Sequence, residues 1–485
     1  MMPDETMILP KPLNLIGGAW VPAASGDEID VRSPLDGEVF TTIAASRPED
    51  VDAAVTAARA AFDTGAWGQL TAAERGRLML KLSLRILEEA EPLAQLESRD
   101  TGKPIKQARA DMVACARYFE FYGGGADKVH GEVIPFMAGY NVQVAREPYG
   151  VIACIIPWNY PAQMFARALA PALAMGNSTV LKPAEDACLS CLRLAELAGE
   201  VGFPDGAINV VTGRGDVAGK ALSEHPGVDF IAFTGSPEVG QMIQIAAAKN
   251  YIPCTLELGG KSPQIVFDDA DIEAALPFLV GGIIANAGQT CSAGSRILIQ
   301  ESVYDKVIAG LKERFEAIEA SDQSEDAALG PLISAKQKNR VEAYIDGADA
   351  PLIARGTVRK GAPEGGYYVA PALFGPVDPH SKIGQEEVFG PVLCAMTFKD
   401  EADAIRIANG TEYGLMAAVW TCDGGRQQRV AKKLRGGQVY INGFGAGGGI
   451  ELPFGGVRKS GHGREKGFAA LLEFSQLKTI INKHG

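Results

Sequence analysis

The 485-residue sequence predicts an α/β protein: a doubly wound Rossmann-like lobe, a second α/β lobe and a small β bridging element. Three observations carry that prediction. From Tyr149 onward, short apolar runs alternate with longer amphipathic ones, the signature of parallel strands joined by helical crossovers. A second alternation runs from Ala270 to about Asn442. Two strand-like segments, residues 130–147 and 474–482, fit neither lobe. At 47% apolar and 22% charged residues, a chain of this length can bury more than one core.

In chain order, residues 48–61, 71–91 and 105–122 have the periodicity of long helices. Residues 130–147 read as a strand pair around Ala138-Gly139. Residues 151–156, 178–182, 208–211, 229–233, 255–258 and 263–267 are short and almost wholly apolar, as strands covered on both faces are. Between them, residues 162–175, 187–201, 217–224 and 237–249 read as helices, the last starting at Ser236-Pro237. In such a sheet ligands bind at the carboxyl ends of the strands. A lone strand over 474–482 has unpaired edges and is expected to join another sheet, in this chain or in another subunit.

Composition narrows the function. The formal net charge is −13 and no Lys/Arg block stands out, which argues against a nucleic acid or anionic membrane partner. The 57 glycines follow no Gly-X-Y period, so they belong to turns and close approaches. Eight irregularly spaced cysteines suit reduced thiols in the cytoplasm better than a disulfide scaffold. The N-terminal stretch has no basic segment ahead of an apolar one, so no secretory leader is expected in it. Residues 149–166 and 274–295 are uncharged and as long as a membrane span, but their prolines, amides and hydroxyls suit buried strand, turn and helix. A small-molecule enzyme remains the best reading.

Three residues have surroundings that suit covalent chemistry. Cys291 stands in NAGQTCSAGSR, a loop of small residues that leaves its thiol open and puts backbone N–H groups near it to favour the thiolate; a cysteine is nonetheless more often a small buried hydrophobe. Glu257 is the only charge between Ile252 and Gly260, at a strand end where desolvation raises a carboxylate toward general-base range; pairing with Lys261 is the structural alternative. Asn159, in a proline-flanked turn after strand 151–156, can present its amide to an oxyanion or simply serve the turn. FTGSPEVG places Gly235 and Gly240 at the opening of a helix, where N–H groups hold a pyrophosphate or Ser236 acts as a plain cap. LKPAE puts Lys182 and Glu185 where a ribose would lie. Cys188 and Cys191 lack the further ligands of a metal site, the five histidines are scattered, and GFGAGGG at 443–449 reads as a flexible loop; no metal is expected.

Together the motifs closely resemble the NAD(P)-dependent aldehyde dehydrogenase superfamily, in its hydrolytic, non-acylating branch. In order they are PWNYP (157–161), LKPAE (181–185), FTGS (233–236), LELGGKSP (256–263), GQTCSA (288–293), EEVFGPV (386–392) and PFGGVRKSGHGRE (453–465). The resemblance implies an NAD-binding domain of residues 1–124 and 147–256, a catalytic domain of 257–469 and a bridging domain of 125–146 and 470–485. It implies a homodimer or homotetramer. Cys291 would be the nucleophile, Glu257 the general base, and Asn159 with the Cys291 N–H the oxyanion hole. Lys182 and Glu185 would bind the adenosine ribose, and Gly235, Ser236 and Gly240 would border the pyrophosphate. Glu387 and Phe389 would place the nicotinamide ribose, with Pro157, Trp158, Gly215, Phe233 and Leu258 as further cofactor contacts. Glu185 would repel a 2′-phosphate, favouring NAD over NADP.

The chain departs from the family pattern in places. Arg167-Ala168 stand where many hydrolytic members carry Trp-Lys, and Gln476 where they often carry an acid, which removes a proton route through that Lys and acid. An aromatic common just before the PFGG motif is replaced within residues 445–449, leaving Tyr160, Met164 and Phe454 as apolar walls. This points to a wide tunnel for a bulky or negatively charged aldehyde, with Arg167 either its carboxylate partner or a solvated helix residue. The alternatives to hydrolytic aldehyde oxidation are acyl transfer to coenzyme A, thiol esterase activity on the same cysteine, and a non-catalytic binder that kept the fold.

Overall fold

The computed structural model describes residues 9–322, 327–445 and 449–484. Two large sheets organise these residues. In the first the strand order is Ala19–Val21, Asn14–Ile16, Ile208–Val210, Ser178–Lys182, Val151–Ile155, Phe230–Thr234, Cys254–Glu257 and Gly461–His462. The five strands from Ile208–Val210 to Cys254–Glu257 are parallel. The order of strand addition reverses between Val151–Ile155 and Phe230–Thr234, and that switch point opens a crevice at the strands' carboxyl ends. The strands are buried along almost their whole length and rich in Val, Ile, Ala and Phe because helices cover both faces.

The second sheet has the order Leu352–Arg355, Ala372–Phe374, Val392–Phe398, Arg296–Gln300, Pro263–Val266, Met416–Trp420 and Gln438–Ile441, parallel except at Leu352–Arg355. The strand expected at 263–267 therefore belongs to this sheet and not to the first alternation. Its run is as apolar as its predecessors; the Gly259-Gly260 turn carries it across, and only pairing reveals the transfer. Separate apolar cores underlie the two sheets.

The helix expected over 71–91 ends earlier, as Ala72–Glu88, and a second helix, Ala90–Thr101, follows at once. Glu89 joins them with φ −101° and ψ 17°, and its carboxylate is tied to Arg85 and Arg193. Both helices are amphipathic, so periodicity runs through the break. Strands Glu132–Ile134, Tyr140–Pro148 and Ser475–Lys483 form a third, antiparallel sheet. The terminal strand thus pairs within its own chain along Tyr140–Pro148, while its other edge has no partner strand among the described residues. Among the described residues no helix is long and apolar enough to cross a membrane.

Candidate active site

A cavity of about 550 Å³ opens at the switch point of the first sheet, against the second lobe. Asn159 reaches it from the turn after Val151–Ile155, and Glu257 from the last residue of Cys254–Glu257. Cys291 comes from the loop between helix Ile272–Ile284 and strand Arg296–Gln300. That loop is bent by three successive residues in left-handed conformation, Asn286, Ala287 and Gly288 at φ 48°, 55° and 72°. Gly288 is required twice over: its φ is positive, and a Cβ there would lie 2.2 Å from the Gly390 carbonyl oxygen. A Cβ on Gly260 would lie 2.4 Å from the Cys291 carbonyl oxygen, so the turn after Glu257 is pressed against the cysteine loop.

Hydrogen bonds lock the Asn159 turn to the same loop. Asn159 Nδ2 donates to the Gln289 carbonyl at 2.9 Å, and Asn286 Nδ2 donates back to the Asn159 carbonyl at 2.9 Å. The Tyr160 and Thr290 hydroxyls bond at 2.8 Å. An amide nitrogen carries two N–H bonds, so one of Asn159's is left for an oxyanion in the cavity.

Burial dominates the electrostatics. It raises the Glu257 carboxyl well above the usual range, helped by the Glu465 charge and opposed by the Arg167 guanidinium. Burial also pushes the Cys291 thiol up to about 12, although Arg167 and the Ser292 N–H pull the other way. A backbone N–H favours the thiolate as expected, but desolvation outweighs it. Lys261 is not the partner of Glu257: its buried ammonium has no hydrogen bond among the described residues, and the cation beside Glu257 is Arg167, 3.6 Å away.

Around this centre the cavity is lined by Pro157, Trp158, Gly235, Ser236, Glu387 and Phe389 from the expected cofactor set. Glu387 Oε1 accepts the Gly260 N–H at 2.9 Å, and a Cβ on Gly259 would lie 2.2 Å from its other oxygen, so this carboxylate needs the Gly-Gly turn. Phe389, at φ 59°, meets Trp158 edge-on at 5.4 Å. Ser236 caps helix Pro237–Lys249 by accepting the Val239 N–H at 3.3 Å. A Cβ on Gly240 would lie 2.6 Å from Leu258, and one on Gly235 2.5 Å from Phe233, so the helix start is seated directly on the strand ends. Lys182, Glu185 and Gly215 form a separate cluster: Lys182 Nζ meets Glu185 at 2.8 Å and Glu185 accepts the Gly215 N–H at 3.1 Å. Burial raises the Glu185 carboxyl, but the Lys182 ammonium and two backbone N–H groups outweigh it and hold the carboxyl low. A carboxylate held by a lysine at a strand's carboxyl end and a helix start with space only for glycine are what a dinucleotide requires.

Tyr160, Met164, Arg167 and Phe454 line the cavity, and Arg167 is not a solvated helix residue. It is 5% exposed, ion-paired through Nε to Glu465, close to Glu257, and stacked on Phe454 at 4.4 Å. Glu465 is the acid that sequence reasoning missed; it stands in the last motif, but nothing local placed it opposite Arg167. The acid sought at position 476 would lie elsewhere, since Gln476 is exposed on strand Ser475–Lys483. Lys466 also lines the cavity, its ammonium pushed down to about 7 by burial and by the Arg167 charge. Residues 446–448, in the loop expected to widen the mouth, lie outside the described residues. Among the described residues, no three His, Cys, Asp or Glu gather as metal ligands.

The chain matches the aldehyde dehydrogenase family over residues 20–480. It is 45% identical to an aldehyde dehydrogenase of Emericella nidulans, over 98% of this chain and 96% of that one. It is 40% identical to aldehyde dehydrogenase family 2 member C4 of Arabidopsis thaliana, over 96% and 94% of the two chains. Its fold superposes with a TM-score of 0.96 on Staphylococcus aureus betaine aldehyde dehydrogenase, solved in complex with NAD+, at 40% identity over 98% of this chain and 95% of that one. With a thiol, an amide donor and a buried carboxylate gathered at the switch point of a dinucleotide-type sheet, and with relatives matched along nearly its whole length, this chain belongs to the aldehyde dehydrogenase family.

Proposed function

We propose that Cys291, Asn159 and Glu257 carry out the aldehyde oxidation of this NAD-dependent enzyme as nucleophile, oxyanion donor and general base. The observation that carries the reading is their convergence on one cavity, with the Asn159 amide bonded into the cysteine loop. The Cys291 sulfur adds to the carbonyl carbon as the thiol gives up its proton to solvent water. The carbonyl oxygen becomes an alkoxide, met by the Asn159 amide and the Cys291 N–H. When bound, NAD+ supplies the hydride acceptor for the resulting thiohemiacetal. Loss of hydride leaves an acyl thioester on Cys291. Glu257, a stronger base for its raised pKa, takes a proton from water, which adds to the thioester and releases the acid and the Cys291 sulfur. The test is Cys291→Ser: NADH formation should vanish while NAD binding persists, and normal turnover would overturn the assignment.

Lys182, Glu185 and Gly215 are assigned to the adenosine ribose, Phe233, Gly235, Ser236, Gly240 and Leu258 to the phosphate side, and Pro157, Trp158, Glu387 and Phe389 to the nicotinamide side. The glycine-dependent seat of helix Pro237–Lys249 supports this, and the ionised Glu185 supports NAD over NADP. A domain division at 124/125, 146/147, 256/257 and 469/470 is supported by the change of sheet between Cys254–Glu257 and Pro263–Val266. A homo-oligomer is supported by the open third sheet, where Leu477 and Ile481 are each 62% exposed. Eight unpaired thiols suit the cytoplasm. Tyr160, Met164, Phe454 and the Arg167–Glu465 pair frame the substrate.

A further inference from the structure

A fully buried charge cluster sits behind the Asn159 turn, where the first-lobe helices meet. Lys103, 1% exposed, follows helix Ala90–Thr101, and its ammonium has four neighbours. It bonds Glu97 at 3.0 Å and the Asp111 carboxylate, donates to the Asn159 carbonyl at 3.1 Å, and lies 4.5 Å from the centre of the Tyr160 ring. Each carboxylate also holds the same stretch of chain. Glu97 accepts the Ala162 N–H at 3.0 Å, the first turn of helix Pro161–Ala174, whose Tyr160 cap provides no side-chain bond. Asp111 accepts the Gln163 side-chain amide at 2.7 Å. Three buried ions from one helix–turn–helix thus grip residues 159–163 from behind, while Asn286 grips the Asn159 carbonyl from the cysteine loop.

Burying a lysine and two carboxylates is costly, and the same volume could be filled by apolar side chains without loss of stability. What apolar side chains could not do is donate to the Asn159 carbonyl. We propose that Lys103 is a positioning residue of the oxyanion site: with Asn286 it fixes the Asn159 backbone so that the amide points at the alkoxide formed on Cys291. This rests on the assignment of Asn159 as oxyanion donor. The cluster never touches the reacting atoms; it acts by holding the donor in place before charge develops, the condition under which such a donor is effective.

The decisive comparison sets Lys103→Met beside Asn159→Ala, with active sites counted by iodoacetamide labelling of Cys291. For Lys103→Met, kcat per reactive thiol should fall about tenfold, less than the ~10²–10³ expected for loss of the donor itself. NAD affinity should be unchanged. The isotope effect on kcat with aldehyde deuterated at the carbonyl carbon should rise, because hydride transfer from the poorly stabilised adduct becomes limiting. Wild-type kcat per thiol and isotope effect in Lys103→Met, beside a crippled Asn159→Ala, would overturn the proposal alone; an active Asn159→Ala would overturn the oxyanion reading itself. If Lys103→Met does not fold, Asn286→Gly decides: it removes the other donor to the same carbonyl and tolerates the left-handed backbone. A raised isotope effect there supports the clamp, and an unchanged one refutes it.

Discussion

At the scale of single residues, the site is governed by desolvation. Both the Cys291 thiol and the Glu257 carboxyl are held toward their neutral forms, so the proposed roles need protons to leave a buried place. The expected consequence is a kcat/KM that climbs steadily from pH 6 to 9, since raised acids lose their protons only as pH rises; a profile flat over that interval would contradict it. Glu257→Gln should give one stoichiometric burst of NADH followed by slow turnover, measured by stopped-flow absorbance. An unimpaired steady state would remove Glu257 from its role, and coenzyme A-dependent turnover would point to acyl transfer. Arg167 is bound to Glu465 and Glu257, and Arg167→Met should cost ~3–5 kcal/mol because it strands two buried carboxylates. Without the guanidinium both carboxyls rise further, so the loss is largest above neutral pH and shrinks as acid protonates them. Urea midpoints at pH 8 and pH 5.5 check both size and sign.

At the scale of elements, the parts that short-range rules govern were legible and the parts set by long-range pairing were not. The parallel strands showed as apolar runs, and the helix at Pro237–Lys249 announced itself by Ser236-Pro237. Asn159, Glu257 and Cys291 could be singled out because each stands beside a Gly or Pro turn, Asn159 and Cys291 within uncharged stretches and Glu257 as the lone charge of its own. Glu97, Lys103 and Asp111 could not, because charges in amphipathic helical segments look like a solvated face until the helices pack. Arg167 was misread for the same reason. At the cofactor end, the short reach from Lys182 to Glu185 makes a specific expectation: Glu185→Ser should narrow the NAD:NADP ratio of kcat/KM by about tenfold, the effect of removing one repulsive charge. An unchanged ratio would place the adenosine ribose elsewhere.

At the scale of the whole molecule, the third sheet stands out, because monomers seldom leave a nine-residue strand with large apolar side chains in water. Replacing Leu477 and Ile481 together by Glu should dissociate the proposed homo-oligomer in sedimentation without changing the far-ultraviolet spectrum. A wild-type sedimentation coefficient would move the interface off this sheet.

The Gly259-Gly260 turn has a mechanical consequence. Glu257 is the last rung of one sheet and Pro263 the first of the other, and the turn between is pinned by Glu387, by the cysteine loop and by Ser460, whose carbonyl accepts the Leu258 N–H at 3.1 Å. Swinging the two lobes apart like jaws would therefore break these contacts and draw Glu257 away from Cys291. Amide protons of residues 257–262 should therefore exchange with solvent only when the whole protein opens.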